Sequence, residues 1–98
     1  ALDEARRTGR PVLADFNATW CPPCAAMKHD TWTDDDVERA VSASTVPLLV
    51  DIDRDPPTAS RYGIEAVPTV LLLDGNGTVI RRAGFLPASG VLRFLDGD

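Results

Sequence analysis

The chain has 98 residues, 44% of them hydrophobic and 26% charged, a size and balance that fit one compact domain, residues 1–98, and leave little room for a second. Its 10 basic and 15 acidic residues give a net charge of -5, which excludes the basic stripe that a nucleic-acid or anionic-membrane surface needs. No apolar run approaches the roughly 18 residues of a transmembrane helix, and Asp3, Glu4, Arg6 and Arg7 follow Ala1 too closely for a secretory signal.

Residues 1–8 read as a helix closed by Gly9, since glycine most easily takes the left-handed conformation that ends helices. Pro11 then opens an extended run, Val12-Leu13-Ala14-Asp15-Phe16, apolar on both faces except at Asp15. A strand without polar alternation is normally an inner one. Trp20-Cys21-Pro22-Pro23-Cys24 leads into Ala25, Ala26, Met27 and Lys28, all good helix formers. Amides of a first helical turn have no intrahelical acceptor, so proline is tolerated there. This places Cys21 at or near the N-cap, Pro22 and Pro23 in the first turn, and Cys24 one turn inside.

Thr33, with Asp36 three residues on, resembles a capping box, and the acidic run Asp34-Asp35-Asp36 reads as a solvated helix start. Val37, Ala40 and Val41 supply a short apolar helical face. Val46 to Ile52 is the next strand. Asp55-Pro56 has the order that opens a helix, which Gly63 closes. Thr69 to Leu73 and Thr78 to Arg82 are two strands joined by Asp74-Gly75-Asn76-Gly77, a hairpin signal. In the second of them Val79 and Arg81 alternate with Ile80 and Arg82, a pattern expected of an edge strand with one wet side. Beyond Pro87, the spacing of Val91, Leu92 and Leu95 predicts a terminal amphipathic helix. A helical crossover makes the first two strands parallel and right-handed, while the hairpin must be antiparallel. No repeat, linker or low-complexity segment interrupts this order.

Cys21 and Cys24 are the only cysteines, and their position suits a reactive dithiol. The positive end of a helix and its free amides stabilise a thiolate, the species that attacks disulfides. Cys21 is expected to be the exposed nucleophile and Cys24, one turn deeper, the thiol that resolves the mixed disulfide. Neither Pro22 nor Pro23 can donate an amide hydrogen bond, so Cys21 depends on the Cys24 amide and thiol and on the helix dipole.

Three other readings compete. A structural disulfide across so short a loop is worth only about 2 kcal/mol. Zinc wants four N or S ligands, and the chain offers two cysteines and His29, which falls off the cysteine face and reads as an ordinary polar side chain. Two inert buried thiols fit poorly with a proline-flanked helix start.

The segment Asp15-Phe16-Asn17-Ala18-Thr19-Trp20-Cys21-Pro22-Pro23-Cys24, together with Tyr62-Gly63-Ile64-Glu65-Ala66-Val67-Pro68-Thr69 and Gly84, resembles the thioredoxin superfamily. Arg10-Pro11-Val12-Leu13 and Lys28-His29-Asp30-Thr31-Trp32-Thr33-Asp34 are further similar to the C-terminal thioredoxin-like domain of bacterial thiol:disulfide interchange proteins of the DsbD type. The resemblance implies an α/β thioredoxin fold, a mixed four-stranded sheet in order 2-1-3-4 with helices on both faces. It also implies a cis peptide bond at Val67-Pro68 and a substrate strand paired to the backbone of Val67. Trp20, Pro22, Pro23, Val67, Pro68 and Gly84 would form the surface that a substrate meets. Asp15, costly as an ion within an apolar strand, stands where the family has an acid. Its functional reading is a proton acceptor for Cys24 with a raised pKa, and the alternative is a strand-end carboxylate reaching water. Two positions depart from thioredoxins, Leu49 where they have a buried lysine and Asn17 where they have an aromatic residue.

The expected activity is protein-disulfide reduction through the Cys21-Cys24 dithiol, with no cofactor or metal beyond it. The rivals are an oxidase or isomerase running the exchange the other way, and a metal- or client-binding module that does not turn over. Expected partners are protein thiols or disulfides and an upstream thiol reductant, with the chain a monomer. The absence of an initiator Met suggests a processed or excised piece, and the DsbD-like match favours an extracytoplasmic setting.

Overall fold

Four segments extend into strands: β1 (Val12–Asn17), β2 (Val46–Asp51), β3 (Thr69–Leu73) and β4 (Val79–Ala83). The computed structural model describes residues 1–97, so the end of the expected domain at Asp98 lies outside the described residues. The strands form one sheet in the order β2-β1-β3-β4, as the resemblance implies. β1 runs parallel to β2 and antiparallel to β3, and β4 is antiparallel to β3.

The nearly all-apolar sequences of β1 and β3 follow from this order, because both strands are internal and covered on both faces. On one face Val12, Ala14 and Phe16 pack with Val46, Val50, Leu71 and Leu73. That face is closed by Leu2 and Ala5 of α1 (Leu2–Thr8) and by Tyr62 at the end of α4 (Pro56–Arg61). On the other face Leu13, Val70 and Leu72 meet Met27 and Phe94, with Trp32, Val41 and Leu95 against them. Met27 opens the π-helical turn Met27–Thr31 that continues α2 (Pro22–Ala26), Trp32 follows that turn, Val41 belongs to α3 (Asp35–Ser44), and Phe94 and Leu95 belong to α5 (Ala88–Asp96). Fully burying a side chain such as Phe16 contributes roughly 1.5–3 kcal/mol, so the core can hold the sheet without a covalent staple.

Local chemistry sets several element ends differently from the sequence expectation. Asp34, not Thr33, caps α3: its carboxylate accepts from the Asp36 and Val37 amides, while the Thr33 hydroxyl donates back to His29 O. The acidic run is therefore partly a cap. β2 stops at Asp51, although the Ile52 amide still donates to Asn17 O. The register opposes Leu72 to Arg81 and Leu73 to Val79, which leaves Ile80 as an extra residue in a β-bulge. This breaks the expected alternation in β4: Val79 and Ile80 are both exposed, whereas Arg81 is half-buried and donates to Phe94 O. In α5 the buried pair is Val91 and Phe94, with Leu92 and Leu95 only half-buried. The π-helical turn carries no signal in apolar spacing.

Candidate functional site

The site forms where β1 ends and α2 begins. Cys21 is the N-cap of α2, with extended backbone, and Pro22 and Pro23 fill the first turn. The Cys24 amide donates to Cys21 Sγ at 3.2 Å, a backbone donor aimed at the sulfur that would carry charge. The two sulfurs are paired as a disulfide, with their Cα atoms 5.2 Å apart. Cys21 was expected to be exposed, yet it is only 3% accessible. It is covered because Ala18, Ile52 and Val67 close around the two cysteines.

The loop before β3 supplies part of that cover through Val67. Val67-Pro68 is a cis peptide bond, and Val67 O lies 3.6 Å from Cys21 Sγ. Pro68 falls just before the first residue of β3, where its missing amide breaks no ladder hydrogen bond. The Thr69 hydroxyl donates to Ala66 O at 2.7 Å, tying the loop to the strand. Gly84 follows β4 on the same side, where a Cβ on it would sit 3.8 Å from Pro68 O.

Trp20 is 65% exposed, and its indole N–H donates to Asp53 Oδ2 at 2.8 Å. The Asp53 amide in turn donates to Asp51 Oδ1 at 2.9 Å, so the end of β2 fixes the orientation of an open aromatic face. Phe85 is also exposed, next to Gly84. Sequence reasoning passed over Asp53 and Phe85, because neither stands out from loop composition.

Asp15 lies on the second face of β1, in register with Leu49 on β2 and Val70 on β3. It shares a groove of about 750 Å³ with Cys24, Lys28, Trp32, Val41 and Leu49. Burial pushes its carboxyl up from the ordinary 3.8 to about 6, against a downward pull from the hydrogen-bonding Asn17 amide and, after it, from the nearby Trp32 indole dipole. The Asn17 amide donates to Asp15 Oδ2 at 3.4 Å. Trp32 Nε1 completes no hydrogen bond of normal geometry and is itself buried. Leu49 is 72% exposed and brings no charge. His29 sits away from the sulfurs, exposed and against Asp30. Among the described residues, no three His, Cys, Asp or Glu side chains are grouped to hold a metal ion.

An N-cap cysteine facing one amide, a second cysteine a turn inside and a buried acid behind it form a constellation suited to moving two electrons through sulfur. Comparison with known proteins points to the same chemistry. A family model described as "Thioredoxin-like domain" matches residues 1–97. A thioredoxin of Alicyclobacillus acidocaldarius is 34% identical over 86 residues, spanning 88% of this chain and 79% of that protein. The solution structure of a thioredoxin from Thermus thermophilus superposes with a TM-score of 0.85 at 28% identity, covering 98% of this chain and 78% of that one. The reduced DsbD C-terminal domain of Neisseria meningitidis shares the fold, with a TM-score of 0.80 at 24% identity over 97% of this chain and 88% of its own. Sheet order, paired cysteines and relatives thus agree that the chain belongs to the thioredoxin-like family and is a thiol-disulfide oxidoreductase.

Proposed function

We propose that the protein works as a reductant of protein disulfides. The observation that carries this direction is the sparse support around Cys21 Sγ. One backbone amide donates to it, the two residues between the cysteines are prolines without an N–H, and its other polar neighbour, Val67 O, is an acceptor. A strong oxidant needs a heavily stabilised reduced form. A thiolate with a single backbone donor beside the Cys24 thiol is less stabilised than one held by several amides, which favours giving electrons away.

In this reading the Cys21 thiolate attacks one sulfur of a substrate disulfide and the other sulfur leaves as a thiolate. Cys24 then passes its proton to Asp15 and attacks Cys21 Sγ. The Cys21-Cys24 disulfide forms and the second substrate sulfur departs, so two electrons have passed to the substrate. Val67 pairs with the substrate backbone and Pro68 helps to orient it, and Trp20, Pro22, Pro23 and Gly84 surround the dithiol. An upstream thiol reductant restores the dithiol. Every group in this scheme lies at one end of a single sheet, which supports action as a monomer.

The reduced protein is expected to accelerate the reduction of insulin by dithiothreitol, and Cys21→Ser to abolish that acceleration. Unchanged activity in Cys21→Ser would remove the assignment. A reduction potential near that of thioredoxin, about -270 mV, is the expected result, whereas one near -120 mV would reverse the direction of transfer.

A further inference from the structure

Among the described residues, Asp15 has no cation to hold it. Its register partner on β2 is Leu49, and the groove beside it contains three other titratable or charged side chains: Cys24 on α2, Lys28 in the π-helical turn and Glu38 on α3. Lys28 is exposed and forms no ion pair with Asp15 among the described residues. Asp51, further along the same face of β2, accepts from the Asp53 amide, and β3 offers Val70. What surrounds the carboxyl instead is neutral N–H. Asn17 donates to it from the end of the same strand, at a long 3.4 Å. Trp32 lines the groove with an indole Nε1 that is buried and unbonded. A buried donor left unpaired is costly and normally finds an acceptor.

We propose that Trp32 is a positioning residue for Asp15, its indole N–H closing onto the carboxylate when Asp15 gives up its proton and releasing it when the carboxyl takes the proton of Cys24. This rests on the reading of Asp15 as the base in the resolving step. Two neutral donors, Asn17 and Trp32, then do what an ammonium group would do from β2. The π-helical turn matters because Trp32 follows it directly and packs against the cluster that contains Leu13 and Val70, the neighbours of Asp15 along and across the sheet.

The resolving step can be isolated with 5,5′-dithiobis(2-nitrobenzoate). Cys21 attacks the reagent, expelling one thionitrobenzoate and keeping the other, and that second one is released when Cys24 loses its proton and closes the disulfide. Followed by stopped flow from pH 5 to 9, Trp32→Phe, which keeps an aromatic ring and removes the N–H, should move the midpoint of the second release up by about one to two pH units. The rate at pH 7 should then fall roughly two- to tenfold and recover at pH 9. An unshifted profile, or a loss equal at every pH, overturns the proposal.

Asp15→Asn separates the two levels of the argument. If it slows release while Trp32→Phe leaves the profile in place, only the role of Trp32 falls. If it matches the wild type, the base itself is misassigned and the proposal falls with it. Should Trp32→Phe fail to fold, the wild-type indole N–H resonances decide. The Trp32 resonance must titrate with the Asp15 midpoint, and a flat Trp32 resonance overturns the proposal.

Discussion

Asp15 puts an ionisable oxygen where the sheet would otherwise be apolar, and the fold bears the cost. Its folded midpoint of about 6 lies above the 3.8 of an unperturbed carboxyl, so between these values the folded state holds its proton more tightly than the unfolded chain. Stability therefore declines as pH rises from about 4 to 6 and stays lower above that window. The shift is worth at most about 3 kcal/mol, less where solvent in the groove screens the charge. Asp15→Asn should then stabilise the protein by roughly 1–3 kcal/mol at pH 8 and by little at pH 4, as read from urea unfolding at the two pH values. A gain that is the same at both would mean that charge burial is not the source. Stabilisation together with slower resolution is the trade expected of a functional group. The acid was legible as a lone polar side chain in an apolar run. Its attendants, Asn17 and Trp32, were not, because they meet Asp15 only through a strand end and a helical turn that spacing does not describe.

At the scale of elements, the proline pair marked the start of α2, because the ring fits only where an amide has no intrahelical partner. Asp55 likewise caps α4, accepting from the Thr58 amide. The start of α3 was misread by one residue, since Thr33 and Asp34 are both chemically able to cap. The backbone decides between them, because the π-helical turn leaves the Thr33 hydroxyl directed at His29 O. Asp34→Ala should lower stability by about 1 kcal/mol, and Thr33→Ala by less, measured by chemical denaturation of each. Equal losses would restore Thr33 as the cap. The bulge in β4 was out of reach for a different reason. It reflects how Arg81 finds Phe94 O, a tertiary contact that no alternation within the strand encodes.

For the molecule as a whole, the two cysteines can be free to open and close only if the rest of the fold does not lean on them. The core meets that condition. Phe16, Leu71 and Leu73 are buried on one face and Met27, Val70 and Phe94 on the other, in clusters distinct from the small one around the disulfide, which touches the first through Ile52. Apolar patterning marked β1 as an inner strand and the crossover rule made β1 and β2 parallel, whereas the full order 2-1-3-4 and the helices on both faces were expected from the resemblance to thioredoxins and are found in the sheet. The disulfide closes a loop with only two residues between its ends, and its contribution through chain entropy is bounded near 2 kcal/mol. Removing the Phe16 side chain, by contrast, should cost about 3–5 kcal/mol. Reduced and oxidised protein are therefore expected to show the same far-ultraviolet circular dichroism and single cooperative urea transitions separated by about 2 kcal/mol or less. Phe16→Ala should lose more stability than reduction does in either redox state. A reduced protein that unfolds, or loses more than Phe16→Ala, would make the dithiol a structural staple, because a bond on which the fold depends cannot be cycled without unfolding the site that it serves.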